Sequence, residues 1–111
     1  MRVKNTYSRA TVHRFTGATN AIQVATAGIE VGGLSLKNGG AGGATVVLYD
    51  AKTAGDANPS NETWVLDVGA TGNDNQPFPH PLSFKHGVHA VLEQGVGTNP
   101  ILCVNRIPSE V

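Results

Sequence analysis

Short apolar and β-branched segments alternate with polar turn segments along the chain, and almost no stretch shows the period of an amphipathic helix. The clearest segment is 45–50, Thr-Val-Val-Leu-Tyr-Asp, which is apolar at successive positions, as in a strand covered on both faces. Residues 63–68 alternate instead, with Trp64, Leu66 and Val68 on one face. Because strands that follow each other in sequence are usually neighbours, we expect these two strands to pair.

The first half of the chain contains further strand signals. Residues 9–16 predict a first strand, and residues 23–31 predict a continuous extended segment. The apolar positions change phase at Gly32-Gly33, which indicates a β-bulge or bend, since one extra residue turns every later side chain to the opposite face. Segment 38–43 is so rich in glycine that we expect a flexible connection there.

The last third of the chain predicts three strands. Apolar side chains occupy the even positions on both sides of a kink at His86-Gly87, namely Leu82, Phe84, Val88, Ala90 and Leu92. Residues 101–107 predict a strand that returns beside these two, so we expect segment 81–104 to contain a core hairpin. Seven to eight short strands separated by turn residues predict an all-β protein, an antiparallel β-sandwich of jelly-roll or immunoglobulin-like type.

Prolines at positions 77, 79 and 81 interrupt the segment before this last third. Proline lacks the backbone N–H that a strand donates to its neighbour, so we expect residues 69–81 to run as an extended loop across a sheet edge. Long irregular loops are often contact surfaces. Pro77, Phe78 and His80 are therefore candidates for partner binding.

A chain of 111 residues is expected to form a single domain. Charged residues make up only 14% of it and the net charge is zero, which argues against nucleic-acid binding, since such proteins concentrate Lys and Arg. No acidic residue precedes Glu30, whereas four of the eight basic residues lie in the first fourteen positions: Arg2, Lys4, Arg9 and Arg14. We therefore divide the chain into a basic N-terminal arm, 1–14, and a sandwich domain, 15–111. We expect the arm to contact an acidic protein surface, with DNA as the alternative partner.

The residues that could carry chemistry form no recognisable motif. His80, His86 and His89 have an H-x5-H-x2-H spacing, but positions 86 and 89 fall on opposite faces of a strand. Ser83, His86 and Asp67 are the residue types of a nucleophilic triad, yet no nucleophile elbow accompanies them. The sequence therefore predicts a protein that is not an enzyme and has no metal or cofactor site.

Two further features narrow the class of protein. The single cysteine, Cys103, excludes an internal disulfide and lies in an apolar run, so we expect a buried, inert thiol. No apolar run approaches the ~20 residues that cross a bilayer, so no membrane partner is expected.

The order of these elements resembles the small β-sandwich virion proteins of tailed bacteriophages. The resemblance covers roughly residues 22–107 and lies in four segments: Ala-Thr-Val-Val-Leu-Tyr-Asp at 44–50, Thr-Trp-Val-Leu at 63–66, the run 82–92, and Ile-Leu-Cys-Val at 101–104. The glycine kink before the alternating Val/Ala segment, here Gly87, is its best marker. The long proline-rich segment and the basic arm depart from the pattern.

The resemblance implies a structural component of a phage particle, with a decoration or cement protein on the outside of the head as the leading hypothesis. Its partners would be the major capsid protein or other virion proteins, and a trimer or another symmetric homo-oligomer is expected. The arm and the loop then supply the partner-binding residues, which are Arg2, Lys4, Arg9, Arg14, Pro77, Phe78 and His80.

Two alternatives are open. The first is a head-fibre or tail-associated module that binds host glycans, using Trp64 or Tyr49 together with the Asn/Asp-rich loop at 73–75. The second is a component of the head-to-tail connector.

Overall fold

A computed structural model describes residues 9–16, 20–40, 42–95 and 98–107 of the chain. Within these ranges the chain forms eight strands and two short 3-10 turns, Ala54–Asp56 and Pro59–Asn61. The strands are β1 (Arg9–Arg14), β2 (Ala21–Ala25), β3 (Ile29–Lys37), β4 (Ala44–Tyr49), β5 (Glu62–Val68), β6 (Asn73–Phe84), β7 (Val88–Gln94) and β8 (Ile101–Arg106). No helix in the described part of the chain is long and apolar enough to cross a membrane.

The strands form two antiparallel sheets of four strands each. The first sheet has the order β1-β8-β3-β6 and the second sheet has the order β2-β7-β4-β5. Only β4 and β5 are neighbours both in sequence and in a sheet, and every other connection takes the chain across to the opposite sheet. This is a jelly-roll arrangement, which confirms the predicted all-β sandwich.

The two sheets enclose one apolar core. Every strand except β1 contributes buried apolar side chains to it, and Phe15 enters it directly after β1. The largest fully buried members are Phe15, Phe84, Leu34, Leu36, Leu48, Leu66 and Leu102. Because side chains alternate between the two faces of a strand, this inward set leaves the other positions of each strand on an outer face.

Two local predictions are confirmed. The strand at 45–50 is β4, and it pairs with β5 over the whole length of both. A register shift between Val31 and Gly33 interrupts the pairing of β3 with both of its neighbours, which is the irregularity predicted from the change of phase. Beyond it, Leu34 and Leu36 replace Val31 as the inward residues.

The continuous strand predicted for 23–31 is wrong. β2 ends at Ala25, and β3 begins at Ile29 in the other sheet. The turn between them passes so close to the end of β6 that a Cβ on Gly28 would lie 2.8 Å from the carbonyl oxygen of Lys85. The chain changes sheets here, which an apolar pattern alone does not distinguish from a bend within one strand.

The core hairpin predicted for 81–104 is also wrong. β6 belongs to the first sheet and β7 to the second, while β8 lies between β1 and β3 and pairs with neither β6 nor β7. The even positions Phe84, Val88, Ala90 and Leu92 are buried as expected, because both strands face the same core from opposite sheets. Gly87 lies at the crossing between the two sheets.

The loop predicted for 69–81 is largely a strand. Residues from Asn73 onward belong to β6, which pairs with β3, so the Asn/Asp-rich segment 73–75 is not a loop. The prolines are tolerated for two reasons. The first is that β6 is an outer strand, so one of its edges has no neighbour to which an N–H must donate. The second is that residues 78–81 lie in the interruption of the pairing, where β3 has only Gly32 between its paired residues Val31 and Gly33.

Candidate partner-binding surface

The predicted basic arm overlaps the first sheet. Arg9–Arg14 form β1 and pair with β8 in six consecutive positions, from Arg9 with Arg106 to Arg14 with Ile101. Arg2 and Lys4 lie outside the described residues, as does the side chain of Arg9. Of the four basic residues predicted to bind a partner, Arg14 is the one whose side chain is described, and it is exposed.

Arg14 lies at one corner of the outer face of the first sheet. Three rows of paired residues cross all four strands of this face: Arg14, Ile101, Lys37 and Asn73; Val12, Cys103, Ser35 and Asn75; Ala10, Asn105, Gly33 and Pro77. We call these rows the Arg14 face. Most of its side chains are small, and its two cations lie in the first row, on either side of Ile101.

The Arg14 face brings together two of the predicted partner residues and corrects one expectation. Arg14 and Pro77 lie on the two outer strands of the same sheet, at diagonally opposite corners of the face. Three strand spacings and four residues along the strands separate them, which is roughly 20 Å. Cys103 is half-buried at the centre of the face and is not the fully buried thiol predicted from its apolar neighbours. Val12, on the outer strand β1, is 65% exposed.

Phe78 and His80 have different surroundings from Pro77. Phe78 points inward, where its ring meets that of Trp64 edge to face, with centroids 4.9 Å apart and an interplanar angle of 85°. This contact joins β6 to β5 and covers one open side of the sandwich, so Phe78 and Trp64 both pack against the core. His80 lies in the interrupted stretch of β6 and is exposed.

Charge is divided unequally between the two sheets. The strands of the first sheet carry Arg9, Arg14, Lys37 and Arg106 against Glu30 and Asp74. The strands of the second sheet carry no Lys or Arg, and their acidic residues are Glu62, Asp67 and Glu93. The strands of the first sheet therefore carry both signs of charge with an excess of cations, whereas the strands of the second sheet carry acidic residues alone.

The three residues of the candidate nucleophilic triad each contact a different neighbouring residue. Ser83 Oγ donates to Glu30 Oε1 at 2.7 Å, and Thr45 Oγ1 donates to Asp67 Oδ1 at 2.8 Å. His86 lies 3.6 Å from Asp50, measured from Nδ1 to Oδ1. Within the described ranges, no three His, Cys, Asp or Glu side chains are grouped closely enough to hold a metal ion.

Asp50 holds the connection between β6 and β7. Its carboxylate accepts backbone N–H groups of His86 at 2.8 Å and Lys85 at 3.1 Å. Burial acts to raise the pKa of Asp50, but these N–H donors, that of Gly87 and the charge of His86 outweigh it, so the pKa is lowered. Asp50 therefore has a structural role.

Gln23 and His89 form a buried polar contact on the second sheet. The side-chain nitrogen of Gln23 lies 2.7, 2.9 and 3.1 Å from the carbonyl oxygens of Ala25, Ala51 and Val88. Its oxygen Oε1 lies 2.7 Å from Nδ1 of His89, and since an amide oxygen only accepts, Nδ1 carries the proton. Burial lowers the pKa of His89, because a charged imidazole is poorly solvated there.

This burial predicts a loss of stability in mild acid. The folded state disfavours protonation of His89, and that of His13 as well, whose pKa is lowered by burial and by Arg106. Protons then bind preferentially to the unfolded chain. The contribution of the two histidines to the free energy of unfolding is therefore fully present above the ordinary pKa of 6.5, and it is lost as the pH falls below that value. The urea midpoint of unfolding should be lower at about pH 5 than at about pH 7.5.

The substitution His89→Gln should reduce this difference, because it removes one of the two titrating groups while keeping a polar partner for Gln23. His80→Gln, at an exposed position, is the matched control and should leave the difference unchanged. Equal urea midpoints of the unsubstituted protein at both pH values would contradict the assignment.

No family model matches the chain, and no curated protein matches its sequence. Solved structures do match its fold. A chain of the acidic stable capsid of Helicobacter pylori bacteriophage KHP30 is similar over all of this chain and 95% of its own length, with 14% identity and a TM-score of 0.57. The shared property is the jelly-roll sandwich.

Two other structures share the fold at a TM-score of 0.51. One is the Drosophila NLP core, which forms pentamers and binds histones, with 14% identity over 87% of this chain and 95% of that one. The other belongs to Bacillus endospore appendages, a family of disulfide-linked pili, with 13% identity over 96% of this chain and 92% of that one. At such identities the similarity establishes the fold alone, and all three relatives belong to assemblies.

Proposed function

We propose that this protein is a structural component of a bacteriophage particle and that it decorates the outside of the capsid and stabilises it. The observation that carries the proposal is the similarity to a chain of the KHP30 capsid. This chain and that one cover each other almost completely, so a single jelly-roll of this size is a component of a phage capsid. The resemblance found in the sequence supports the same class of protein.

The Arg14 face is the surface that we propose contacts the shell. It carries Arg14 and Lys37 in one row, on either side of Ile101, and Val12 adds exposed apolar surface in the next row. Clustered cations attract an acidic partner surface and raise the rate of encounter. Pro77, at the far edge, continues this face onto β6.

The size of this face indicates that it does not act alone. Four strands at a spacing of about 4.8 Å and six residues in length cover roughly 400 Å². A stable interface buries about 800 Å² on each partner. We therefore include Arg2, Lys4, Arg9 and His80 in the contact, and we propose a symmetric oligomer, most simply a trimer, whose several weak contacts add up on a repetitive shell.

The test uses particles that lack this protein, mixed with the purified protein and sedimented. Arg14→Glu should weaken saturable binding about tenfold, a difference of roughly 1.4 kcal/mol, because it reverses the charge at the contact. Lys52→Glu, at an exposed position in the loop after β4, is the charge-matched control and should bind like the unsubstituted protein. Equal affinity of all three proteins would exclude the Arg14 face as the contact.

A further inference from the structure

The four outer strands of the sandwich differ in how open their free edges are to another strand. An outer strand exposes unpaired backbone groups, and prolines, bulges and charged side chains keep other chains from pairing with them. Register shifts interrupt the pairing of β2, β5 and β6 with their neighbours, and β6 also contains three prolines. In the described part of the chain, β1 is the one outer strand with neither feature, since it pairs with β8 in six consecutive positions without a shift.

The middle of β1 has no strongly charged side chain. Arginine stands at its two ends, Arg9 and Arg14, and the four residues between them are Ala-Thr-Val-His. Val12 is 65% exposed, more than any other large apolar side chain in the described ranges. His13 is half-buried and uncharged at neutral pH, because burial and the charge of Arg106 lower its pKa. An added strand would therefore meet an uncharged edge with an exposed valine at its centre.

A second copy of β1 matches this edge. Opposite residues of an antiparallel pair share a face, so a two-fold axis that relates two copies of one strand must pass through a residue position. An axis at Val12 pairs residues 10–14 of both copies: Val12 lies opposite Val12 of the second copy, Thr11 opposite His13, and Ala10 opposite Arg14. No two charged side chains then lie opposite each other. An axis one position away in either direction would separate the two valines.

We propose that two copies of the protein pair antiparallel through β1, about a two-fold axis at Val12, and so form one continuous eight-stranded sheet. The even positions of β1 lie on the Arg14 face, so the pairing joins the Arg14 faces of both copies into one surface of roughly 800 Å². A stable interface buries about this area on each partner, and a single Arg14 face is half as large. The inference deepens the proposed function and rests on it for the use of the joined face.

The pairing is compatible with a trimer. A two-fold contact uses the same patch on both copies and closes on itself, so it forms pairs and leaves the other surfaces of each copy free. A shell with icosahedral symmetry has two-fold axes between its three-fold axes, and at these positions pairs formed through β1 join neighbouring trimers. Each joined face presents two copies of Arg14 and two of Lys37 to the shell.

Crosslinking of the purified protein, without particles, tests the pairing. Val12→Cys, in a chain whose own thiol is removed by Cys103→Ser, should be converted largely to dimer by a short bismaleimide at about 50 μM, because opposite Cβ atoms lie about 5 Å apart. Val65→Cys in the same background is the matched control, since Val65 is an exposed valine on an outer strand of the other sheet, and it should stay largely monomeric. Equal dimer yields from the two variants, or no dimer from Val12→Cys, would overturn the proposal.

A mixture of two variants tests the register. Ala10→Cys and Arg14→Cys, each combined with Cys103→Ser, should crosslink to each other when mixed, because the axis at Val12 places these two positions opposite each other. Each variant alone should yield about tenfold less dimer, since like positions lie four residues, or about 13 Å, apart along the strands. A mixture that yields no more dimer than the separate variants would exclude an axis at Val12.

The crosslinking result is independent of binding to the shell. Protein that pairs through β1 but does not bind particles would confirm this inference and overturn the proposed function. Protein that binds particles but does not pair through β1 would overturn this inference and leave the proposed function standing.

Discussion

Replacing Gly87 by alanine is expected to destabilise the protein by about 4 kcal/mol or more, which is a large fraction of the stability of a typical small domain. A Cβ at this position would lie 2.6 Å from the carbonyl oxygen of Ala25 and 2.9 Å from that of Ala51. Both contacts are with backbone, and neither can be relieved by turning a flexible side chain. The added methyl group would have to move the end of β2, or the loop after β4, away from the point where the chain passes from β6 to β7.

Urea unfolding followed by the fluorescence of Trp64, which packs against the core, measures this effect. Gly39→Ala is the matched control, because a Cβ at Gly39 meets no atom within 4 Å, and its urea midpoint should stay close to that of the unsubstituted protein. If Gly87→Ala unfolded at the same urea concentration as Gly39→Ala, the close crossing between the two sheets would be wrong.

Asn38→Ala is expected to cost about 3 kcal/mol, because it removes three hydrogen bonds made by a buried side chain and leaves a cavity in its place. Asn38 is 1% exposed at the end of β3. Its side-chain nitrogen donates to the carbonyl oxygens of Gly42 at 2.6 Å and Gly69 at 3.2 Å, and its oxygen accepts the N–H of Gly40 at 3.0 Å. One side chain thus ties the glycine-rich connection to the segment that follows β5.

The same unfolding measurement applies to Asn38→Ala, with Asn75→Ala as the control. Asn75 is an exposed asparagine on β6, and its replacement should change the stability by less than about 0.5 kcal/mol. Asn38→Asp should behave like Asn38→Ala, since it keeps the shape but loses both donated hydrogen bonds. Wild-type stability of both Asn38 variants would mean that the glycine-rich connection is held by other contacts.

Several strands were predictable from the sequence, but the assignment of strands to sheets was not. Alternation reveals which side of a strand is apolar, so β4, β5 and the bulge at Gly32-Gly33 could be placed directly. It does not reveal which of two facing sheets a strand joins, because both sheets turn apolar residues towards the same core. The expected hairpin at 81–104 failed for this reason, since β6 and β7 face each other across the core.

Prolines and glycines misled the prediction where tertiary contacts override local preference. Three prolines argued for a loop, yet an outer strand with an interruption opposite Gly32 accommodates them. The glycine-rich connection was expected to be flexible. In the described part of this connection, Asn38 forms hydrogen bonds to Gly40 and Gly42. Asn38 is buried, and no sequence pattern predicts the burial of a polar residue there.

The candidate surface was predictable only in part. Arg14 and Pro77 do lie on one face, but only because β1 and β6 are the two outer strands of the same sheet. Phe78, one position from Pro77, points the opposite way and packs on Trp64. The division of charge between the sheets emerges only once each strand is assigned, since basic and acidic segments are interleaved along the chain.

Three-dimensional reconstruction by electron microscopy of intact phage particles in which this protein is detected tests the proposed decoration of the capsid most directly. Decoration of the capsid predicts density for the jelly-roll at hundreds of symmetry-related positions on the outer surface of the head, with the Arg14 face towards the shell. About a dozen copies confined to the junction of head and tail, or no copies on the head, would contradict it.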